Sequence, residues 1–141
     1  MAEEIVGAGR LSEVDGAAAM FARDRASTAL GIEVVELAPG RAVLAMTVTA
    51  EMVNGHGIAH GGYVFLLADS AFAGACNYPG SVTVAASAEI VFVTPAREGE
   101  RLTATAVERH RAGRSGIYDV TVRCADRLVA EFRGLSRTLA A

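Results

Sequence analysis

The chain has 141 residues, 52% hydrophobic and 21% charged, with a formal net charge of −3. This is the composition of one globular domain, 1–141, with a sizeable core, and it excludes disorder. It also excludes a domain-wide basic surface for nucleic acid, leaving only a local patch open. Two cysteines, Cys76 and Cys124, form no disulfide framework and suit a reducing, cytoplasmic setting.

Residues 1–10 read as a loose end whose acidic start, Met1-Ala2-Glu3-Glu4, lacks an apolar signal core. The spacing of Val14, Ala17, Ala18, Phe21 and Ala22 predicts a helix over 11–29, capped by Ser12 and ended by Gly31. Residues 1–30 are therefore an N-terminal tail and helix. A short strand, Ile32 to Leu37, turns at Pro39-Gly40 into a second, Arg41 to Ala50, with Ala42, Leu44, Met46 and Val48 on one face. A glycine-rich loop, 54–62, leads into a second helix that ends near Asn77. A turn at Tyr78-Pro79-Gly80-Ser81 follows. The rest reads as strands: Val82 to Thr94, Arg101 to Arg109, one centred on Tyr118 to Cys124, and one with Leu128, Ala130 and Phe132 on a common face. The last three form a meander.

The second helix is apolar almost all round, so it must be buried. Five or six strands, each with one apolar face, supply the cover. The expected architecture is α+β: a long central helix wrapped by a curved antiparallel sheet. The helix is too short, and too polar at its centre, to span a membrane. Its one charge is Asp69, whose neighbours three and four positions away are Phe65, Leu66, Phe72 and Ala73. A lone buried charge is costly unless it is paired or used.

Asn54, His60-Gly61-Gly62, Leu67-Ala68-Asp69 and Ala71-Phe72-Ala73 together resemble the hotdog-fold acyl-CoA thioesterases, most closely the PaaI-type subgroup of phenylacetic acid degradation. Phe92-Val93-Thr94-Pro95 and the stretch Arg111 to Gly116 resemble the same family's following strand and hairpin. The likeness covers roughly residues 30 to 138. It implies hydrolysis of acyl-CoA by a homodimer or a dimer of dimers. Coenzyme A is then part of the substrate, and no separate cofactor is expected.

Thioester hydrolysis needs an activated water or nucleophile, and a donor for the developing oxyanion. Desolvation by apolar neighbours makes Asp69 the candidate base or nucleophile. The backbone N–H of Gly61, at the positive end of the helix, is the candidate oxyanion donor, with Gly62 beside it. Ser70 is a candidate to hold the water; the alternative is a bond back to the preceding helical turn. By resemblance, Asn54 orders the loop or a water and His60 lies near the thioester. Arg109-His110-Arg111 and Arg114 form the concentrated basic cluster, and by resemblance Arg111, Gly113, Arg114 and Ser115 lie near the nucleotide of coenzyme A. His56 and His60, four apart, fall in a glycine-rich loop without the Glu of a His-Glu-x-x-His site or an obvious third ligand, so no metal is expected. Tyr63, Phe65, Phe72 and Phe92 are candidate walls of an aromatic acyl pocket.

Gly61 and Asp69 are eight positions apart, about 12 Å along a helix. Both must lie within about 3 Å of the reacting atoms. Two antiparallel helices across a two-fold axis meet this demand, whereas one straight helix does not. A dimer with shared sites is expected, with Ala68, Ala71, Gly74 and Ala75 offering a small surface for close packing. Two alternatives are a hydratase or dehydratase using His60 with Asp69, and a non-catalytic acyl-CoA-binding module.

Overall fold

The computed structural model describes residues 11–78 and 81–139. The expected loose end 1–10 and the Pro79-Gly80 part of the expected turn lie outside them. The described residues form helix α1 (Leu11–Ala22), helix α2 (Arg25–Ala29), strands β1 (Glu33–Ala38) and β2 (Arg41–Thr47), a 3-10 turn (Ala50–Met52), helix α3 (Gly61–Cys76), and strands β3 (Thr83–Phe92), β4 (Arg101–Ala112), β5 (Ser115–Cys124) and β6 (Arg127–Thr138).

The single helix expected over 11–29 is two helices. Asp24 adopts extended backbone, and its Oδ1 accepts from the Ser27 N–H at 2.9 Å. A short carboxylate caps a new helix better than it sits inside one. Ser12, expected to cap the first helix, already lies within it. Gly31, at φ +71°, turns the chain out of α2 into β1.

All pairings are antiparallel, in the order β1-β2-β4-β5-β6-β3. The sheet curves around α3, which touches every strand. The inward faces supply Leu44 and Met46 from β2, Leu102 from β4, Tyr118, Val120 and Val122 from β5, and Phe132 from β6, all buried against Leu67 and Phe72 of α3. This is the helix-in-sheet arrangement expected from the sequence.

Alternation is interrupted by register shifts in four strand pairs, and the one in β5–β6 changes a buried residue. Leu128 was expected to share the buried face with Ala130 and Phe132, but Val129 is the buried residue. A bulge shifts the β5–β6 register between Val122 and Arg123, so the step from Leu128 to Ala130 is no longer a simple alternation. The small residues of α3 also differ from expectation. Ala68, Ala71 and Ala75 are fully buried, and a side chain at Gly74 would meet Phe21 of α1 and Ala42 of β2 at 3.0 Å. They let the chain's own sheet and first helix approach, and leave no small surface for a second copy. The least covered stripe of α3 is instead Gly62, Leu66, Asp69 and Ala73.

The two edge strands differ in kind. β1 has six residues, a bulge at Val35, and Glu33 and Glu36 paired to Arg101 and Arg41. These features blunt an edge. β3 runs for ten residues with one charge, Glu89, and leaves Val84, Val91 and Phe92 41%, 61% and 53% exposed.

Gly134 tests how tightly helix and sheet are packed. A Cβ there would lie 2.8 Å from the ring of Phe72, which is itself fully buried. Gly134→Ala is expected to lower stability by about 1–3 kcal/mol in denaturant unfolding. Gly55→Ala, with nothing within 4 Å, should change it by less than about 0.5 kcal/mol.

Candidate active site

The entry to α3 is built by the loop that precedes it. Asn54 Oδ1 accepts from the N–H groups of His56 at 2.9 Å and Ile58 at 3.3 Å, and the Asn54 N–H donates to Ile58 O at 2.8 Å. Gly57, at φ +79°, makes the reversal between them. Asn54 therefore orders the loop, one of the two tasks expected of it. His60 caps α3: its Nδ1 accepts from the Gly62 N–H at 3.0 Å. In a neutral ring this leaves the proton on Nε2. The Gly62 N–H is thus engaged, which removes it as a second oxyanion donor.

The Gly61 N–H has no acceptor among the described residues. It stands at the positive end of a sixteen-residue helix. Gly61 also lines a cavity of about 390 Å³ with Asn54, Ile58, Val64, Phe92, Thr94 and Val129. The Phe92 ring lies so close that a Cβ on Gly61 would be 2.9 Å from its Cζ. Only glycine allows both that ring and an accessible N–H here. Ile58, Val64 and Val129 of this wall were not singled out in the sequence. Val129 reaches it through the β6 bulge, whose carbonyl accepts from the N–H groups of Val93 at 2.8 Å and Thr94 at 3.3 Å. Thr94 Oγ1 donates to Leu128 O at 2.6 Å and fixes the next residue of the wall. The Phe92-Val93-Thr94-Pro95 run was the one available signal. Of the other expected aromatic walls, Phe72 is core, Phe65 packs edge-on to Phe132 with centroids 5.3 Å apart, and Tyr63 stands edge-on to His60.

Asp69 lies in the middle of α3, half-buried on the least covered stripe. Burial alone raises its carboxyl above the ordinary value of 3.8. No described residue donates a hydrogen bond to it or pairs with it, and it does not line the Gly61 cavity.

Ser70 faces elsewhere. It is buried, and its hydroxyl is 3.0 Å from Ser27 Oγ, which donates its own proton to Asp24 Oδ2 at 2.6 Å. Ser70 must therefore be the donor. It joins α3 to α2 and is not available to a water at Asp69, nor does it bond back along its own helix. One residue along a helix is a rotation of about 100°, which separates the two side chains.

The basic hairpin lies at the other end of α3. Gly113, at φ +57°, and Arg114 form the turn between paired Ala112 and Ser115. Arg111 lies over the Tyr78 ring, 5.5 Å from its centroid. Arg109 is on the opposite face of the sheet, where it and Arg133 bind Asp119 at 2.9 and 2.7 Å. Those guanidiniums, Arg133 first, hold the Asp119 carboxyl at about 2. Within one protomer, then, Gly61 with Asn54, Asp69, and the Arg111 hairpin occupy three separate stations along one helix. Cys76 is buried near its end, and burial pushes its thiol up to about 12, which leaves it unreactive. Among the described residues, no helix is long and apolar enough to cross a membrane.

Residues 56–131 match the family model of the thioesterase superfamily. The chain is 46% identical over 122 residues to the acyl-coenzyme A thioesterase PaaI of Escherichia coli, covering 86% of this chain and 87% of that protein. The solved structure of the E. coli PaaI protein from the phenylacetic acid degradation operon superposes with a TM-score of 0.90 at 42% identity, over 94% of this chain and 96% of that one. A mutant of the phenylacetic acid degradation protein PaaI from Thermus thermophilus gives 0.80 at 43% identity, over 82% and 100%. The segment that matches the family runs from the α3 entry loop into the first half of β6, and so holds the Gly61 turn, Asp69 and the basic hairpin: this chain belongs to the thioesterase superfamily.

Proposed function

We propose that the protein hydrolyses acyl-CoA thioesters to a free acid and CoA, as a homodimer with two shared sites. The observation that carries this is one helix holding an unpartnered, half-buried carboxylate and, about 12 Å away, an unpaired N–H on an apolar cavity. Neither serves a thioester alone.

An antiparallel pair of α3 helices brings Asp69 level with the partner's Gly61 when they cross near Phe65, midway between the two positions. The stripe Gly62, Leu66, Asp69 and Ala73 is the face left for that crossing. The long, nearly uncharged edge of β3 supports the same assembly, since it is the unprotected edge of the sheet. Pairing of two such dimers belongs to the same reading. So does the cytoplasmic location expected from composition.

In each site the Asp69 carboxylate either takes a proton from water, whose oxygen adds to the acyl carbon, or adds there itself before water releases the acid. In both courses the carbonyl oxygen gains negative charge against the partner's Gly61 N–H. The intermediate collapses by breaking the C–S bond, and the CoA thiolate leaves with a proton. Phe92 in an apolar cavity of about 390 Å³ favours an arylacetyl group of the phenylacetyl or hydroxyphenylacetyl kind. The relatives named PaaI support that choice. A hydratase using His60 finds less support, because that ring is exposed and engaged in capping.

Wild type should release free thiol from phenylacetyl-CoA in a thiol-trapping assay, and absence of release would overturn the proposal. Asp69→Asn should lose activity by about 100-fold or more. Gly61→Ala should lose it as well, because the new methyl group meets Phe92. Co-expression of the two variants should restore about a quarter of wild-type activity. Half of the randomly formed dimers are mixed, and each mixed dimer has one intact site. No restoration would show that each site lies within one chain.

Burial of Asp69 also predicts a pH signature in stability. A carboxyl raised in the folded state gives its full stability below the ordinary value of 3.8 and loses it as pH rises through the raised value. Asp69→Asn should therefore melt higher than wild type at pH 7, and the gap should close toward pH 3.5 or so. Equal melting points at neutral pH would show the carboxylate to be compensated.

A further inference from the structure

The C-terminal end of α3 holds a polar cluster that the proposed chemistry leaves unused. Tyr118 is fully buried, and its hydroxyl donates to Glu108 Oε1 at 2.7 Å. Glu108 is fixed from behind: its N–H donates to Gly40 O at 2.8 Å, and a Cβ on Gly40 would lie 3.1 Å from its own Cβ. Tyr78 stands in front, with the Arg111 guanidinium over its ring. Burial, then the charge of Glu108, holds the Tyr78 phenol above its ordinary range, while Arg111 opposes them. Tyr78 thus stays a neutral ring between an anion and a cation.

The arginines divide into two sets. Arg41, Arg101, Arg109, Arg127 and Arg133 each pair with a carboxylate. Other described arginines, Arg97, Arg123 and Arg137 among them, form no such pair with a described carboxylate, and neither do Arg111 and Arg114; what sets Arg111 apart is its place over the Tyr78 ring, at the hairpin beside the end of α3. A guanidinium held over a ring and paired with no described carboxylate suits a phosphate. An unsupported arginine would lose most of its rotamer freedom on binding one, and the stacking removes that freedom beforehand.

We infer that Tyr78, backed by Glu108, is a positioning residue that holds the Arg111 guanidinium for a phosphate on the leaving-thiol portion of the substrate bound in the partner's site. This rests on the thioesterase reading and its antiparallel dimer. The same crossing that sets Asp69 level with the partner's Gly61 carries Cys76, and with it Tyr78 and Arg111, about 10 Å past it, on the side from which the partner's chain enters its own α3.

The test compares two esters of one acyl group, the CoA thioester and the N-acetylcysteamine thioester, which has no phosphate. Tyr78→Ala should raise KM for the CoA ester about 5-fold, with kcat held within about 2-fold. It should leave kcat/KM for the short ester unchanged, which also shows that the variant is folded. Tyr78→Phe keeps the ring and should restore KM. In an Arg111→Ala background, Tyr78→Ala should add nothing further. Equal losses on both esters, failure of Tyr78→Phe to restore KM, or an additional loss without Arg111 would each overturn the inference. A wild-type protein inert toward both esters would overturn the thioesterase reading, and the inference with it.

Discussion

The structure turns on one unmet demand: an ionisable carboxyl fixed on the least covered stripe of an otherwise buried apolar helix. Asp69 cannot move away, because Leu67, Ala68 and Ala71 lock the other faces of α3 against the sheet. Among the described residues nothing donates to it or pairs with it, and its carboxyl is raised by burial alone. A helix that only filled the sheet would carry leucine or alanine at this position, at no desolvation cost. The carboxylate is tolerable because its stripe of the helix is only half-covered.

That open side coincides with the open side of the sheet. β1 is blunted by a bulge and by paired glutamates, whereas β3 is long, exposed and nearly uncharged. Continuing the sheet across β3 would seat the bare stripe of α3 against its symmetry copy in the same step. The proposed dimer and the proposed site are thus answers to a single geometric problem. Phe92 links them: it belongs to the exposed end of β3, and its ring rests on Gly61.

Much of this was legible in the sequence, and for a physical reason. Period-two alternation in the last strands and an apolar helix with one charge leave few ways to bury both. What was not legible depends on single hydrogen bonds or single extra residues. Asp24 splits a helix that spacing alone makes continuous, because a side-chain cap outbids the propensity of its neighbours. Val129 enters the cavity wall through a bulge that alternation cannot foresee. Ser70 was assigned to the site because it follows Asp69, but adjacency along a helix means facing different ways, and its hydroxyl belongs to the Asp24–Ser27 chain. The alanines of α3 were read as a surface for a second copy, although small residues serve equally to bring a sheet close.

The two ends of α3 complete the argument. The N-terminal end has a surplus N–H at Gly61, held open by the His60 cap and the Asn54 turn. The C-terminal end has no basic residue in its last turn, yet Arg111 reaches it from the neighbouring hairpin and acts on Cys76. The first end favours negative charge through the helix dipole, and the second carries a cation borrowed from the hairpin. In the proposed dimer a two-fold axis runs the two helices in opposite directions. An acyl-CoA thioester carries a developing oxyanion at one point and fixed phosphates at another. In that reading one helix supplies the donor for the first, and the hairpin beside the end of the other supplies the cation for the second.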